Sequence, residues 1–331
     1  MVIYDGIIES IQRQGGVSVV FKEIISRSSN YEYISYVDES TISESSKRYH
    51  LRFLERYRSV FLKKNKEKKY IFHSTYYRLC KDDIPIVTTV HDFTYEKYVK
   101  GPANWVHCWQ KYRAIKNSDI IICVSENTAK DLMKYCPVDR DKLRVIYNGV
   151  SDSYSPILPK LELTNEVLFV GARGGYKNFD LAIRALSNLP DLSLSIVGGG
   201  ALSKLEIKTL ESYIPNRYQW LGRLTDEELN IAYNRSYALL YPSSYEGFGI
   251  PVIEAMKAGC PVVAVNKSSI PEVAGDAALL VDEPTVYNLT SALKEVHHRR
   301  PRLVKMGLKQ ASKFSWDKCF KDTCAVYKEL I

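Results

Sequence analysis

Ala238-Leu-Leu-Tyr-Pro-Ser-Ser-Tyr-Glu246-Gly-Phe-Gly-Ile-Pro-Val-Ile-Glu254-Ala reads as a strand, a loop and a helix in immediate succession. The apolar run ending at Tyr241 has the length and character of a strand buried on both faces. Pro251 falls in the first helical turn, where its missing N–H costs nothing. Gly247 and Gly249 let the backbone approach a ligand, and the N–H groups of Phe248, Gly249 and Ile250 face outward from the helix start. Such a terminus attracts anions and polar oxygens. Glu246 stands just before the helix and Glu254 one turn inside it. Either they cap the helix and complement its dipole, or they hold adjacent parts of one polyhydroxylated ligand. The spacing alone fits both.

Around this stretch the chain alternates short β-branched runs with amphipathic segments, the pattern of βαβ units and parallel sheets. In the second half, strands are predicted at 166–171, 192–197, 218–221, 238–241, 261–265 and 278–281. Helices are predicted there at 179–186, 202–213, 226–233, 251–258 and 286–297, and the end of the chain reads helical. The first half predicts strands at 2–4, 31–37, 70–73, 86–91, 120–124 and 143–147, with helices at 17–26, 105–116 and 127–135. Turn formers from Asn148 to Pro156 separate the two series. The expected fold is α/β. One Rossmann-like, doubly wound domain covers residues 1–150 and a second covers 165–312, the two facing across a cleft. A last helix at about 315–331 is expected to pack back on the first domain. Such sheets take ligands at the carboxyl ends of their strands.

With 331 residues, 45% apolar and 25% charged, the chain suits two globular domains and not a disordered polymer. No apolar run approaches the roughly 18–20 residues of a membrane span, and the opening Met1-Val-Ile-Tyr-Asp lacks the basic start of a secretory leader. Seven cysteines, an odd number without a C-x-x-C pair, are expected to be reduced structural thiols in a cytoplasmic protein. H-E-x-x-H, G-x-S-x-G and a proper G-x-G-x-x-G are all missing. Asp139-Arg-Asp141 has D-x-D spacing but lies in a polar turn, so no metal site is expected.

The stretch from Tyr241 to Val281, with Glu246-Gly-Phe-Gly-Ile-Pro-Val-Ile-Glu254 and Gly259-Cys-Pro-Val-Val, resembles the donor-site signature of retaining family-4 glycosyltransferases. So do Val170-Gly-Ala-Arg173-Gly-Gly-Tyr-Lys177-Asn-Phe, Leu221-Gly222-Arg223-Leu224 and, earlier, Gln14-Gly15-Gly16, Val90-His91-Asp92 and Val124-Ser-Glu-Asn. The resemblance spans most of the chain and implies a GT-B fold. It further implies transfer of a hexosyl unit from a nucleoside-diphosphate sugar to an acceptor hydroxyl, with retention and without a metal or other cofactor. By the same resemblance Glu246 would bind hydroxyls of the donor sugar and Glu254 the nucleotide ribose. Arg173 and Lys177 would neutralise the leaving diphosphate, which in a metal-free site requires fixed cations. Gly222, Arg223 and Leu224 would border the base, Gly15 and Gly16 would wall the phosphate or acceptor pocket, and His91 would stand near the reacting sugar. His73 would line the acceptor side. The Gly-Tyr-Lys-Asn-Phe form of the diphosphate loop resembles enzymes of O-antigen and surface-polysaccharide synthesis, which favours a GDP-mannose-like donor over UDP-hexose. The acceptor would be a glycan or a lipid-linked glycan. Two rival readings are an epimerase or hydrolase of the same fold and a non-catalytic nucleotide-sugar-binding subunit.

The net charge of +8 sits in one place. Ten Lys and Arg between Lys47 and Lys69 face only Glu55 and Glu67, and the rest of the chain is neutral. Tyr49, Phe53, Tyr57 and Phe61 recur every four residues inside this segment. A basic amphipathic helix lying on an anionic membrane at the inner face of the cell is one reading; a surface helix with a solvated lysine tail is the other. No nucleic-acid fold motif accompanies the charge, so nucleic acid is not an expected partner.

Overall fold

The computed structural model describes residues 1–12, 15–62, 69–159 and 161–331. Gln14 of the glycine motif and residues 63–68 of the lysine tract lie outside the described residues. The chain forms two compact units, Met1–Gly149 with Trp316–Ile331, and Val150–Ser315.

The first unit holds a seven-stranded sheet of β1 (Val2–Asp5), β2 (Tyr31–Ser35), β3 (Lys47–Arg48), β4 (Ile71–Ser74), β5 (Ile86–Val90), β6 (Ile120–Cys123) and β7 (Leu143–Val145). Its order is β3-β2-β1-β4-β5-β6-β7, with every pairing parallel. The second holds β8 (Glu166–Val170), β9 (Ser193–Val197), β10 (Tyr218–Gly222), β11 (Ala238–Tyr241), β12 (Val262–Val265) and β13 (Leu279–Val281). Its order is β10-β9-β8-β11-β12-β13, again all parallel. Strands such as β5, β11 and β12 are buried along their whole length, as continuous β-branched runs require. The winding direction reverses between β1 and β4 and between β8 and β11. At each reversal the crossovers diverge and leave a crevice beyond the strand ends.

Helix starts are set locally. Ser125 accepts the Thr128 N–H, while Ser203 with Glu206 and Thr225 with Glu228 form reciprocal capping boxes. Val286–Ala311 is one continuous helix through Pro301, longer than the predicted 286–297. Tertiary packing sustains it across the proline: Leu289, Leu293 and Val296 enter the core of the second unit, and Gly307 lies against Met256. The final helix, Trp316–Glu329, belongs to the first unit. Its Tyr327 hydroxyl meets Tyr4 at 3.1 Å and His73 Nδ1 at 2.6 Å, and Asp317 and Glu329 pair with Arg27 and Arg144.

The four-residue aromatic periodicity of 47–69 is not a helix in its described part. Lys47–Arg48 is an edge strand and Glu55–Tyr57 a single 3-10 turn, preceded by Leu54 at φ +56°. Tertiary partners override the local pattern here. Tyr49 packs edge-on to Tyr36, Val60 bridges to Cys80, and Glu55 is drawn inward by Arg78. The Arg78 guanidinium is fully buried and donates to Asp5 (2.9 Å), Glu55 (2.7 Å) and the Tyr36 hydroxyl (2.7 Å). Arg78→Met is therefore expected to strand the buried Asp5 carboxylate, to leave Glu55 with Arg52 alone, and to lower unfolding free energy by about 3–5 kcal/mol. Urea unfolding of the variant would read this, and a loss within 1 kcal/mol or so would mean the network adds little.

Candidate active site

The second unit places its charged residues around the β8/β11 reversal. Lys177 closes a short 3-10 turn, Gly175–Lys177, after β8, and Glu246 follows β11. Across the reversal Lys177 Nζ donates to Glu246 Oε1 at 2.5 Å, both side chains about 12% exposed. The ammonium also lies 5.4 Å from the centroids of the Tyr176 and Tyr241 rings. Each side of the pair is held from behind. Asn178, the residue after Lys177, donates to the Pro242 carbonyl and to Ser244 Oγ, both at 2.8 Å. Ser268 Oγ accepts the Glu246 N–H, and Ser269 donates to the Glu246 and Phe248 carbonyls. Gly249, at φ +101°, opens the Ile250–Lys257 helix so close to Ile270 that a Cβ would overlap the Ile270 side chain.

Arg173 does something different from Lys177. Its side chain is only 4% exposed, and Nε donates to Glu206 at 2.7 Å. Its two terminal nitrogens donate to the carbonyls of Gly198, Gly200 and Ala201 at 2.9–3.0 Å. The guanidinium thus clasps the turn after β9. Gly199 has to be a glycine there, because at φ +70° a Cβ would meet Arg173 and the Gly171 carbonyl. The turn is joined to β10 by the Gly198 N–H, which donates to the Gly222 carbonyl at 2.7 Å. Gly222, Arg223 and Leu224 follow at the end of β10, with Arg223 exposed.

Glu254 lies on the Ile250–Lys257 helix among phenols. Tyr233 Oη donates to it at 3.1 Å, and Tyr154, whose hydroxyl also reaches Asp226, stands edge-on to Tyr233. Burial of the carboxyl is the largest influence and pushes its pKa from 4.5 to about 7, against the Tyr233 hydrogen bond and with Asp226 adding to the rise.

In the first unit, Gly15 opens the helix Gly16–Ser26, and a Cβ on it would overlap the Gln12 side chain, whereas Gly16 has open space. His91 follows β5. Burial lowers its pKa to about 4, so the ring is neutral near pH 7, and its buried Nε2 has no hydrogen-bond partner among the described residues. His73 does not line any surface, contrary to the sequence reading. It is fully buried, both ring nitrogens are used internally by Tyr327 and Thr89, and burial lowers its pKa to about 3. It ties the last helix to β4 and β5. The residues that sequence reading missed are supports: Asn178, Ser268 and Ser269 stood inside or beside quoted motifs, Glu206 was legible only as the end of a Ser203-x-x-Glu capping box, and Tyr233 and Tyr154 carried no local signal.

The chain matches two family models in succession: Glycosyltransferase Family 4 over residues 15–154 and Glycosyl transferases group 1 over residues 151–312. O-antigen chain mannosyltransferase B of Escherichia coli is 30% identical over 293 residues, covering 80% of this chain and 75% of that one. O-antigen chain mannosyltransferase RfbU of Salmonella typhimurium is 32% identical over 186 residues, 55% of this chain and 52% of the other. Among solved structures, sucrose-phosphate synthase from Thermosynechococcus elongatus superimposes with a TM-score of 0.79 at 18% identity, over 99% and 98% of the two chains. Anabaena HepE in complex with UDP and glucose gives 0.75 at 15% identity, over 99% of each chain. The fold is that of the GT-B glycosyltransferases. The chain belongs to the group 1, family 4 glycosyltransferases and is homologous to O-antigen mannosyltransferases.

The Glu254 geometry makes a pH prediction. Between about pH 4.5 and 7 the native state keeps a proton that the unfolded chain has released, so this group's contribution to stability declines as pH rises through that window. Glu254→Gln cannot ionise and is expected to remove the decline. Urea midpoints of the two proteins, compared at pH 5 and pH 8, should diverge in the variant's favour at pH 8; parallel pH profiles would place the carboxyl in solvent-like surroundings.

Proposed function

We propose that the enzyme transfers a hexosyl unit from a nucleoside-diphosphate sugar to a hydroxyl of a glycan or lipid-linked glycan, in O-antigen or surface-polysaccharide synthesis. The observation that carries this reading is the Lys177–Glu246 pair set across the β8/β11 reversal, where a doubly wound sheet receives its ligand. Before the donor arrives, each charge neutralises the other, and neither is left bare in a half-buried site. An incoming diphosphate competes for the Lys177 ammonium and frees the Glu246 carboxylate to accept hydrogen bonds from sugar hydroxyls. As the sugar–phosphate bond breaks, negative charge grows on the leaving diphosphate and Lys177 stabilises it there. Arg173 serves the same phosphates through the turn it clasps. Glu254 receives the ribose hydroxyls, and the backbone of Gly222, Arg223 and Leu224 borders the base. Gly15 and Gly16 belong to the first unit's wall, and His91 offers its neutral ring near the reacting sugar.

Finer features belong to the same proposal. The donor is GDP-mannose-like, with UDP-hexose next, in line with the mannosyltransferase relatives. Reaction on one face of the sugar retains configuration, without a covalent nucleophile, and the fixed cations serve in place of a metal. The enzyme works on the cytoplasmic side and touches an anionic membrane through the region of residues 47–69.

Thermal unfolding with GDP, UDP and ADP and their sugar conjugates tests the donor. A nucleotide at about 100 times its dissociation constant adds roughly 2.7 kcal/mol, several degrees at the midpoint. GDP and GDP-mannose are expected to give the larger shift. A shift with uridine nucleotides alone selects the second donor, and none at millimolar concentration overturns the donor site. Glu246→Ala and Lys177→Ala are each expected to lower transfer by about 100-fold or more in a product assay.

A further inference from the structure

The helix Pro102–Lys116 buries polar groups beside Ala114 and Ile115. Three of those polar side chains have specific partners. Lys111 donates to Glu96 and to the Asp92 carbonyl, His107 meets the Tyr76 hydroxyl, and Gln110 donates to the Arg56 carbonyl. Its outer face carries Trp105 and Trp109, one turn apart and 71% and 55% exposed. The segment 56–59 is tied along this helix by Gln110 and by Arg113, whose guanidinium reaches Ser59 Oγ at 3.1 Å and stacks on Trp109 at 5.6 Å. Flanking that segment in the chain, Phe53 is 83% exposed and Phe61 65%. Scattered exposed apolar residues are ordinary; two tryptophans on one helix face, beside a tethered segment that exposed phenylalanines flank, are not.

Charge decides what such a surface meets. Lys47, Arg48 and Arg52 are consumed by Glu32, Asp38 and Glu55. Arg58 and Arg113 form no ion pair among the described residues: Arg58 donates to the Phe53 carbonyl and Arg113 to Ser59. A second copy docked face to face would oppose like charges, whereas lipid phosphates complement them. Tryptophan favours the headgroup level of a bilayer, where its ring is half in hydrocarbon and its N–H stays wet.

We infer that the outward aromatic face of the Pro102–Lys116 helix, together with Phe53 and Phe61, docks on an anionic lipid bilayer, with Arg58 and Arg113 contacting phosphates. This deepens the membrane contact proposed above, moving its anchor from a basic helix to an aromatic wedge, and is independent of the transfer reaction.

Flotation with vesicles of phosphatidylglycerol and phosphatidylethanolamine, against pure phosphatidylcholine, tests it. Wild type is expected to float with the anionic vesicles and to lose most of this between low and high salt. Trp105→Ser with Trp109→Ser is expected to weaken partitioning at least tenfold while keeping the thermal midpoint and the nucleotide-induced shift. Arg58→Gln with Arg113→Gln should weaken anionic binding and remove much of its salt dependence. Unchanged flotation of the tryptophan variant overturns the wedge and leaves membrane contact elsewhere. No flotation of wild type overturns both. Self-association that the tryptophan variant abolishes would make this face an interface between copies and overturn the lipid assignment.

Discussion

Parallel strands whose crossovers leave in opposite directions part at their carboxyl ends, and in the second unit this happens between β8 and β11. Lys177 and Glu246 meet across that gap, and much of the surrounding order serves their meeting. Asn178 fastens the lysine's loop to the glutamate's loop through Pro242 and Ser244, and Ser268 and Ser269 hold the glutamate's backbone from the far side. The left-handed Gly249 then turns the chain directly into its helix. A half-buried ion pair contributes little net stability, but it fixes where two charges stand. For the donor site proposed above, fixed placement matters more than strength.

The two carboxylates of the signature sit in opposite environments. Glu246 has an ammonium at 2.5 Å, whereas Glu254 has phenolic hydroxyls and burial, which raises its pKa to about 7. One faces a cation, and the other is held near neutrality by the protein around it. The same division separates the cations: Lys177 faces the gap, and Arg173 spends its donors on Glu206 and three carbonyls of a glycine turn. Arginine's planar fork suits that clasp, and lysine's single ammonium suits exchange between partners.

The first unit shows a parallel economy with histidine. His73 lies in β4 and His91 just after the adjacent β5, and both are kept neutral by burial. Yet His73 uses both nitrogens to hold the last helix through Tyr327 and to reach Thr89, while His91 keeps a buried Nε2 without a partner among the described residues. Membership of the group 1, family 4 glycosyltransferases accords with both units, since a model of that family covers each.

Strand and helix identities were legible locally, because period and turn chemistry are properties of neighbours in the chain. The strand β3 was not, because Lys47-Arg48 is a charged edge with no apolar pattern. The aromatic repeat of 49–61 misled for the opposite reason: its period matched a helix, but Glu55 and Tyr49 had distant partners in Arg78 and Tyr36. By itself the sequence determined two parallel α/β units, the strand–loop–helix around Glu246, and the residue types of the site. Tertiary structure alone decided which charges meet. Lys177 and Glu246 are 69 residues apart and His73 and Tyr327 are 254 apart, and no local pattern records such pairings. A side chain's partner depends on strand order and burial, which exist only once the whole sheet has formed.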